Sequence, residues 1–419
     1  MRRRVAPLTA LAVLMALAPV VSPQGANATQ HPLQDVRSGS PKFLENVAGT
    51  VFFRGSNGAH PKELWKSDGT AQGTGLVRDI NPSGFSRPFE LTNVGGALFF
   101  DADDGVHGFE LWKSDGTANG TVMVKDINNF PSDKEIRPKF LTNVRGTLFF
   151  GGVDNNGWEL WKSTGTADGT TVVGHVNPSW LTNVGGTLFF NGLGPGTGDD
   201  GLWKSDGTTA GTVLVKDVSS SWLANIGGTL FFSGFSGPSQ GVELWKSDGT
   251  TAGTLLVRDI DPGGSADPIN IVDFAKMAFF AARDGVHGFE LWKSDGTRRA
   301  TRLVKDINPG DDDGFPTSRN CGLYLWFKST CSEFVRVGRT LFFWADDGTH
   351  GRELWKSDGT RQGTVMVKNI NPGGSSTPRW LTRSHGHVFF SAYTPNHGRE
   401  LWKSDGTRKG TKLVRDIWS

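Results

Sequence analysis

The feature that most constrains this 419-residue chain is the motif Glu-Leu-Trp-Lys-Ser-Asp-Gly-Thr, which recurs in eight copies along the sequence. Successive copies are 42 to 63 residues apart, and a period of this length is typical of one blade in a β-propeller. The repeats therefore determine the domain count, whereas chain length alone would suggest two or three domains. The motif tryptophans are Trp65, Trp112, Trp161, Trp203, Trp245, Trp292, Trp355 and Trp402.

The order of segments within each repeat predicts four short strands. In the second repeat, residues 90–94, 97–100, 110–114 and 121–127 are rich in strand-forming residues, and turns containing glycine separate them. A Phe-Phe pair occurs in the second strand of every copy, and its two rings point to opposite faces, so both faces must be covered. We therefore predict an all-β fold, a single eight-bladed β-propeller of four-stranded antiparallel blades. Two packed arcs of four repeats are the alternative.

The eight copies resemble the bacterial family named for its ELWxxDGT repeat, over residues 43–417. Three positions depart from the pattern: Thr164 replaces the aspartate, Gly201 the glutamate and Ala300 the second glycine of their copies. The resemblance implies an exported bacterial protein, and it supplies no catalytic residues.

The N-terminus predicts export. Residues 1–28 read as a signal peptide, because a basic start, an apolar core and a small-residue cleavage site follow in order. Residues 29–42 form an N-terminal segment in which a sequence like that of a fourth strand is a candidate for closing the ring. Residues 43–419 form the predicted propeller, with an insertion at 308–333. We expect the mature protein to be secreted, and to stay extracellular or on the cell surface.

Charge and cysteines restrict the partners. The formal net charge is +2, and it becomes about −1 without the three arginines of the signal peptide, which argues against a nucleic-acid partner. No later stretch is long and apolar enough to span a membrane as a helix. We expect a monomer.

An exported compartment favours a disulfide between Cys321 and Cys331, with two free thiols as the alternative.

Strand parity divides the propeller into two faces. In an antiparallel four-stranded blade, the loop between the second and third strands emerges at the same end as the crossover to the next blade. These segments differ from copy to copy, and we call their end the variable face. The Gly-Gly and Ser-Asp-Gly-Thr turns emerge at the other end, the constant face. Function is expected on the variable face, because binding residues concentrate on loops that a rigid scaffold positions.

Aromatic residues of blades six to eight suggest a ligand site there. Rings with a polar tip suit stacking on sugars or anchoring a protein. The alternative is that Trp326 and Phe327 form a small core under the disulfide loop. The predicted ligand-binding residues are Tyr324, Trp326, Phe327, Trp344, His350, Tyr393 and His397.

Metal and catalytic motifs are weak. The glutamate of each motif is predicted to form a cross-strand ion pair with lysine rather than to bind metal with the nearby histidine. Calcium is the one cofactor with candidates, Asp103, Asp104, Asp346 and Asp347, although they lack EF-hand spacing.

No nucleophile motif occurs in the sequence. We therefore predict a non-catalytic binding or adhesion module for a glycan or an extracellular protein. The alternative is a glycan-active hydrolase or lyase with carboxylates such as Asp199, Asp200 and residues 311–313.

Overall fold

The structure, a computed structural model, describes residues 41–57, 59–127, 136–194, 200–315 and 334–417. These residues form 32 strands in eight sheets, and each sheet contains four consecutive strands in antiparallel order. The first strands of neighbouring blades lie side by side around one axis, and β1 lies beside both β5 and β29, so the ring closes. The prediction of a single eight-bladed β-propeller is confirmed. Within the described ranges no helix is long and apolar enough to cross a membrane.

Each of the first four blades takes its strands from one repeat. They are β1 (Lys42–Val47), β2 (Thr50–Gly55), β3 (Glu63–Ser67) and β4 (Gly75–Arg78); β5 (Phe89–Val94), β6 (Ala97–Asp103), β7 (Phe109–Ser114) and β8 (Val122–Lys125); β9 (Lys139–Val144), β10 (Thr147–Asp154), β11 (Gly157–Ser163) and β12 (Thr170–Gly174); β13 (Asn177–Val184), β14 (Thr187–Leu193), β15 (Asp200–Ser205) and β16 (Val213–Lys216).

The last four blades follow the same plan. They are β17 (Ser219–Ile226), β18 (Thr229–Phe235), β19 (Val242–Ser247) and β20 (Leu255–Arg258); β21 (Ile269–Phe274), β22 (Met277–Ala282), β23 (Glu290–Ser294) and β24 (Arg302–Lys305); β25 (Val335–Val337), β26 (Thr340–Asp346), β27 (Arg352–Ser357) and β28 (Val365–Lys368); β29 (Arg379–Ser384), β30 (His387–Thr394), β31 (Gly398–Ser404) and β32 (Lys412–Arg415).

The hydrophobic core lies between blades, in clusters that mix residues of adjacent repeats. At the closure, Phe53 and Trp65 of the first blade pack with Phe389 and Leu401 of the last. The second phenylalanine of every pair is fully buried, as a strand covered on both faces requires. The predicted closing segment and the signal peptide lie outside the described residues, and all four strands of the eighth blade come from the last repeat.

The lysine and glycine of the motif join each blade to the next. Lys66 Nζ donates to the carbonyl oxygen of Gly116 at 2.9 Å, and Lys403 Nζ donates to that of Gly69 at 3.0 Å, which completes the circle. The first phenylalanine of each pair packs against the same glycine, as Phe52 does at Gly116. The lysine bond recurs from Lys113, Lys162, Lys204, Lys246, Lys293 and Lys356 to the corresponding glycines.

The basic residue of the fourth strand also binds the next blade. Lys125 Nζ donates to the carbonyl oxygen of Thr170 at 2.8 Å and lies 5.8 Å from the ring centroid of Trp161. Lys305 repeats both contacts with Thr364 and Trp355. These cations therefore link neighbouring blades as well as placing charge near the outer edge of their sheets.

The motif glutamate does not form the ion pair with lysine that the sequence suggested. Glu290 is fully buried, and its carboxylate accepts hydrogen bonds from the backbone N–H groups of Ile307 at 2.7 Å and of Asn308 and Gly314 at 3.0 Å. The prediction was wrong because the lysine is engaged with the next blade and the glutamate lies beneath the crossover. Glu63, Glu243 and Glu353 hold their crossovers in the same way.

Candidate functional site

The described part of the predicted aromatic platform does not form one surface. Tyr324, Trp326 and Phe327 lie outside the described residues, as do Cys321, Cys331 and Asp199. Trp344 lies in β26, directly after the Phe-Phe pair, and is only 3% exposed, with the Arg352 guanidinium 5.5 Å from its ring centroid. Its position faces the interior, so Trp344 does not offer the stacking surface that we predicted. Tyr393 is half-buried near the end of β30.

The two predicted histidines are paired with carboxylates. His350 Nδ1 lies 2.8 Å from Oδ2 of Asp347, and His397 Nδ1 lies 3.1 Å from Oδ2 of Asp416. Both side chains remain partly exposed, and the second ring nitrogen has no partner among the described residues. His350 and His397 therefore lie at the border of the variable face, and they do not form a cluster of ligand-binding residues there.

The calcium candidates are engaged in turns. Asp104 Oδ1 accepts the N–H groups of Val106 and His107, both at 2.9 Å, and Asp347 makes the same bonds in blade seven. Asp103 and Asp346 each accept the N–H of the glycine two residues later. Within the described segments, no three or more metal-ligating side chains come together. The Asp-Asp-Gly-x-His sequence therefore forms a loop in which the aspartates accept hydrogen bonds from backbone N–H groups.

These loops make a testable electrostatic prediction. The hydrogen bond that the His107 ring donates to the Asp104 carboxylate, with the negative charge of that carboxylate, raises the pKa of His107. Asp104→Asn should return the pKa toward the ordinary value of histidine, which an NMR pH titration of the ring would measure. Asp115→Asn, in a turn of the constant face, is the control and should leave it raised. An unchanged pKa in Asp104→Asn would show that this pair does not set the charge of His107.

A second group of aromatic residues occupies one position in the first strands. The pairing of the first and second strands skips a residue there, which is a β-bulge, in seven of the described blades. One residue of each bulge has φ between 53° and 60°, a conformation that favours glycine and asparagine. We call this the rim position, and its occupants are Phe43, Glu90, Phe140, Trp180, Trp222, Asn270 and Trp380.

Rim residues of neighbouring blades touch one another. The ring centroids of Trp180 and Trp222 lie 4.7 Å apart, and those of Phe43 and Trp380 lie 4.2 Å apart. Contact between equivalent residues of adjacent first strands places these side chains on the inside of the ring. Because each first strand begins at the crossover, the rim position is near the variable face. Phe43, Trp180 and Trp222 are only partly buried.

A buried charge cluster lies beside the rim of blades one and two. Asp101 is fully buried, and Oδ2 lies 2.9 Å from Nε of Arg137, without the alignment of a hydrogen bond. Burial raises the pKa of Asp101 to about 6, although nearby cations act to lower it. The guanidinium of Arg137 stacks 3.6 Å from the ring centroid of Phe109, and that of Arg54 lies 4.4 Å from the centroid of Phe43.

Sequence reasoning missed the rim position, although a signal was present. Only eight of the 15 tryptophans belong to the motif, and Trp180, Trp222 and Trp380 stand at the same place in their repeats, directly before a leucine. The positive φ could not be predicted, because aromatic residues rarely adopt it.

Comparison with known proteins supports the fold alone. No protein-family model and no curated protein sequence matches the chain. A crystal structure of a puromycin hydrolase mutant complexed with PGG has a TM-score of 0.50 and 15% identity, covering 92% of this chain and 55% of that protein. A puromycin-hydrolyzing peptidase of Mycobacterium tuberculosis has a TM-score of 0.48, 11% identity and the same two coverages. The chain thus spans about half the length of these peptidases.

The isolated β-propeller domain of the Trilobed protease from Pyrococcus furiosus is also similar, with a TM-score of 0.45 and 10% identity. The match covers 79% of this chain and 98% of that domain. At such identities the likeness extends to a propeller and not to an activity.

Proposed function

We propose that this protein is a non-catalytic binding propeller that holds an extracellular glycan at its rim, on the variable face. One observation carries the proposal: aromatic side chains fill five of the seven described rim positions, in a backbone conformation that disfavours them. A bulge alone needs no aromatic ring, as Asn270 shows. The rings therefore serve packing or binding, and the part-exposed Trp180 and Trp222 are available for binding.

The chemistry of these rings favours sugars. The indoles of Trp180 and Trp222 are inclined at 44° to each other, so they form the two walls of an angled apolar surface. Aromatic faces stack on the C–H faces of sugars, while the indole N–H supplies a polar contact. Secretion and membership of the ELWxxDGT repeat family are part of the same proposal, and the signal-like N-terminus and the eight repeats support them.

The first test is glycan-array and pull-down binding by the purified mature protein. Trp180→Asn with Trp222→Asn should lower glycan binding at least about tenfold, because stacking energy of about 1 kcal/mol per ring is lost. Asparagine is chosen because Asn270 adopts the same φ in blade six, so the backbone should be preserved. Equal binding by the variant and the wild type would remove the rim from the proposal.

A matched control lies on the same face. Val106 and Val286 are 73% and 70% exposed in loops between second and third strands, and Val106→Ala with Val286→Ala should leave binding unchanged. Capture of a protein without any glycan binding would favour the protein partner instead. The insertion residues Tyr324 and Trp326 remain predicted contributors, to be tested by alanine variants.

The alternative of a hydrolase or lyase gains no support from the described carboxylates. Asp200 is bound by the side chains of Asn191 and Ser219, and Asp313 accepts the backbone N–H of Phe289. These groups hold loops together rather than facing each other as an acid and a nucleophile would.

A further inference from the structure

Arg54 lies inside the ring and has no ion-pair partner among the residues that the structure describes. It follows the Phe-Phe pair of β2 and pairs in register with Lys42 of β1. The guanidinium contacts the ring of Phe43, and it forms no hydrogen bond or ion pair with any residue that the structure describes. Because an enclosed cation without a partner is costly, this arrangement needs a counter-charge from elsewhere.

The neighbouring charges do not supply it. Arg137 and Arg87 act on Arg54 as like charges, and Asp101 is the opposing charge among its described neighbours. Asp101 is itself held by Arg137 at 2.9 Å. Among these four residues, three guanidinium groups thus share one carboxylate. Burial, with the repulsion from Arg137, lowers the pKa of Arg54 to about 9, which is the direction expected of an unpaired cation.

Aromatic rings adjoin this cation. Phe43 lies between the Arg54 guanidinium and two further rings, with centroid distances of 4.3 Å to Phe89 and 4.2 Å to Trp380. A planar guanidinium binds a carboxylate through two parallel hydrogen bonds, and the partly exposed ring of Phe43 offers an apolar contact to a sugar beside it. The two features together match a sugar that carries a carboxylate.

We propose that Arg54 binds the carboxylate of a uronic acid residue in the glycan ligand. This inference rests on the proposed glycan-binding function and names the class of sugar. Arg54 forms the anion contact, Phe43 supports the guanidinium, and Arg137 keeps Asp101 from neutralising it. The residues Trp180 and Trp222 then contact other sugars of the same chain.

The test measures binding of the mature protein to polygalacturonate, dextran sulfate and neutral dextran. We expect binding to polygalacturonate to exceed that to the other two, and to weaken as salt concentration rises. Arg54→Met should lower affinity for polygalacturonate about tenfold to a hundredfold, as loss of a charged hydrogen-bonded pair does. Arg361→Met removes the same charge from an exposed turn of the constant face and should change nothing.

Stability gives an independent readout. Arg54→Met removes an unpaired cation, so its melting temperature without ligand should equal or exceed that of the wild type. A large drop would show that Arg54 has a structural partner, and would overturn the assignment. Equal polygalacturonate binding by Arg54→Met and the wild type would also overturn it, as would stronger binding to dextran sulfate.

The remaining outcomes separate this inference from the proposed function. Binding to neutral glycans alone, with loss in the Trp180→Asn and Trp222→Asn variant, would overturn the uronic acid site and leave the glycan-binding propeller standing. Absence of binding to every glycan tested would contradict both.

Discussion

Replacing Glu290 with alanine is expected to lower the free energy of unfolding by about 3 kcal/mol, because three buried backbone N–H groups lose their acceptor. These donors belong to Ile307, Asn308 and Gly314, so the crossover after blade six should loosen as well. Chemical denaturation measures the loss of stability, and hydrogen exchange at the three amides measures the loosening.

The pH dependence of this effect has a definite sign. Burial raises the pKa of Glu290 to about 8, although its backbone hydrogen bonds act to lower it. Because this exceeds the value of about 4.5 in an unfolded chain, the stabilisation is complete below pH 4.5 and is lost as the pH rises through 8. The difference between Glu290→Ala and the wild type should therefore shrink from pH 5 to pH 9.

Blade three supplies the control. Its crossover has only two residues between β12 and β13, and Glu159 faces the ring of His175 instead of backbone amides. Glu159 is buried, but one of its oxygens has only the 68% exposed His175 as a partner and the other has none among the described residues, so Glu159→Ala should cost no more than about 1 kcal/mol. Equal losses in the two variants would show that the crossover amides do not determine the role of the glutamate.

The length of the crossover also explains the departure at Gly201. In blade four, two residues join β16 to β17, so there is no long loop for a glutamate to hold. A Cβ at Gly201 would lie 2.6 Å from the end of the Leu214 side chain and 3.1 Å from the Lys216 carbonyl oxygen, so a side chain there would require both to shift. The sequence alone shows that glycine replaces the motif glutamate at this position. The reason for the replacement is the short crossover between β16 and β17, which the structure reveals.

The propeller could be predicted because the repeat encodes its own stacking. Lys66 and Phe52 of one repeat contact Gly116 of the next, so eight copies of one motif contain both halves of every interface. The rim could not be predicted in the same way. A β-bulge turns Trp180 and Trp222 toward the inside of the ring, and simple alternation along the strand does not place them there.

Charge pairing was also beyond sequence reasoning. Asp101 and Arg137 are 36 residues apart, and Arg54 comes from the preceding blade, so the stacking of neighbouring blades brings them together. Glu290 meets Gly314 through the path of the crossover after blade six. The partners of these charged side chains depend on the crossovers, whose sequences differ between repeats. The fold depends on the motif, whose sequence is nearly the same in every repeat.

Gly296→Ala is expected to lower the free energy of unfolding by about 3 kcal/mol. Gly296 has φ of 87°, which strains alanine by about 1–2 kcal/mol, and the added Cβ would lie 2.9 Å from the ring of Phe231 in the preceding blade. Phe231 is 3% exposed and has little room to move. Since the Gly296 carbonyl oxygen accepts the bond from Lys246 Nζ, displacement would also weaken that contact.

Gly228→Ala separates strain from packing in this prediction. Gly228 has φ of 93°, and nothing lies within 4 Å of an added Cβ, so only the backbone strain of about 1–2 kcal/mol should appear. Denaturant unfolding of both variants gives the difference, which measures the tightness of the interface between blades five and six. Equal losses of unfolding free energy in the two variants would mean that the Phe231 ring moves aside at little cost. The motif glycine would then be required for its φ alone, and the contact between blades would not explain its presence in all eight copies.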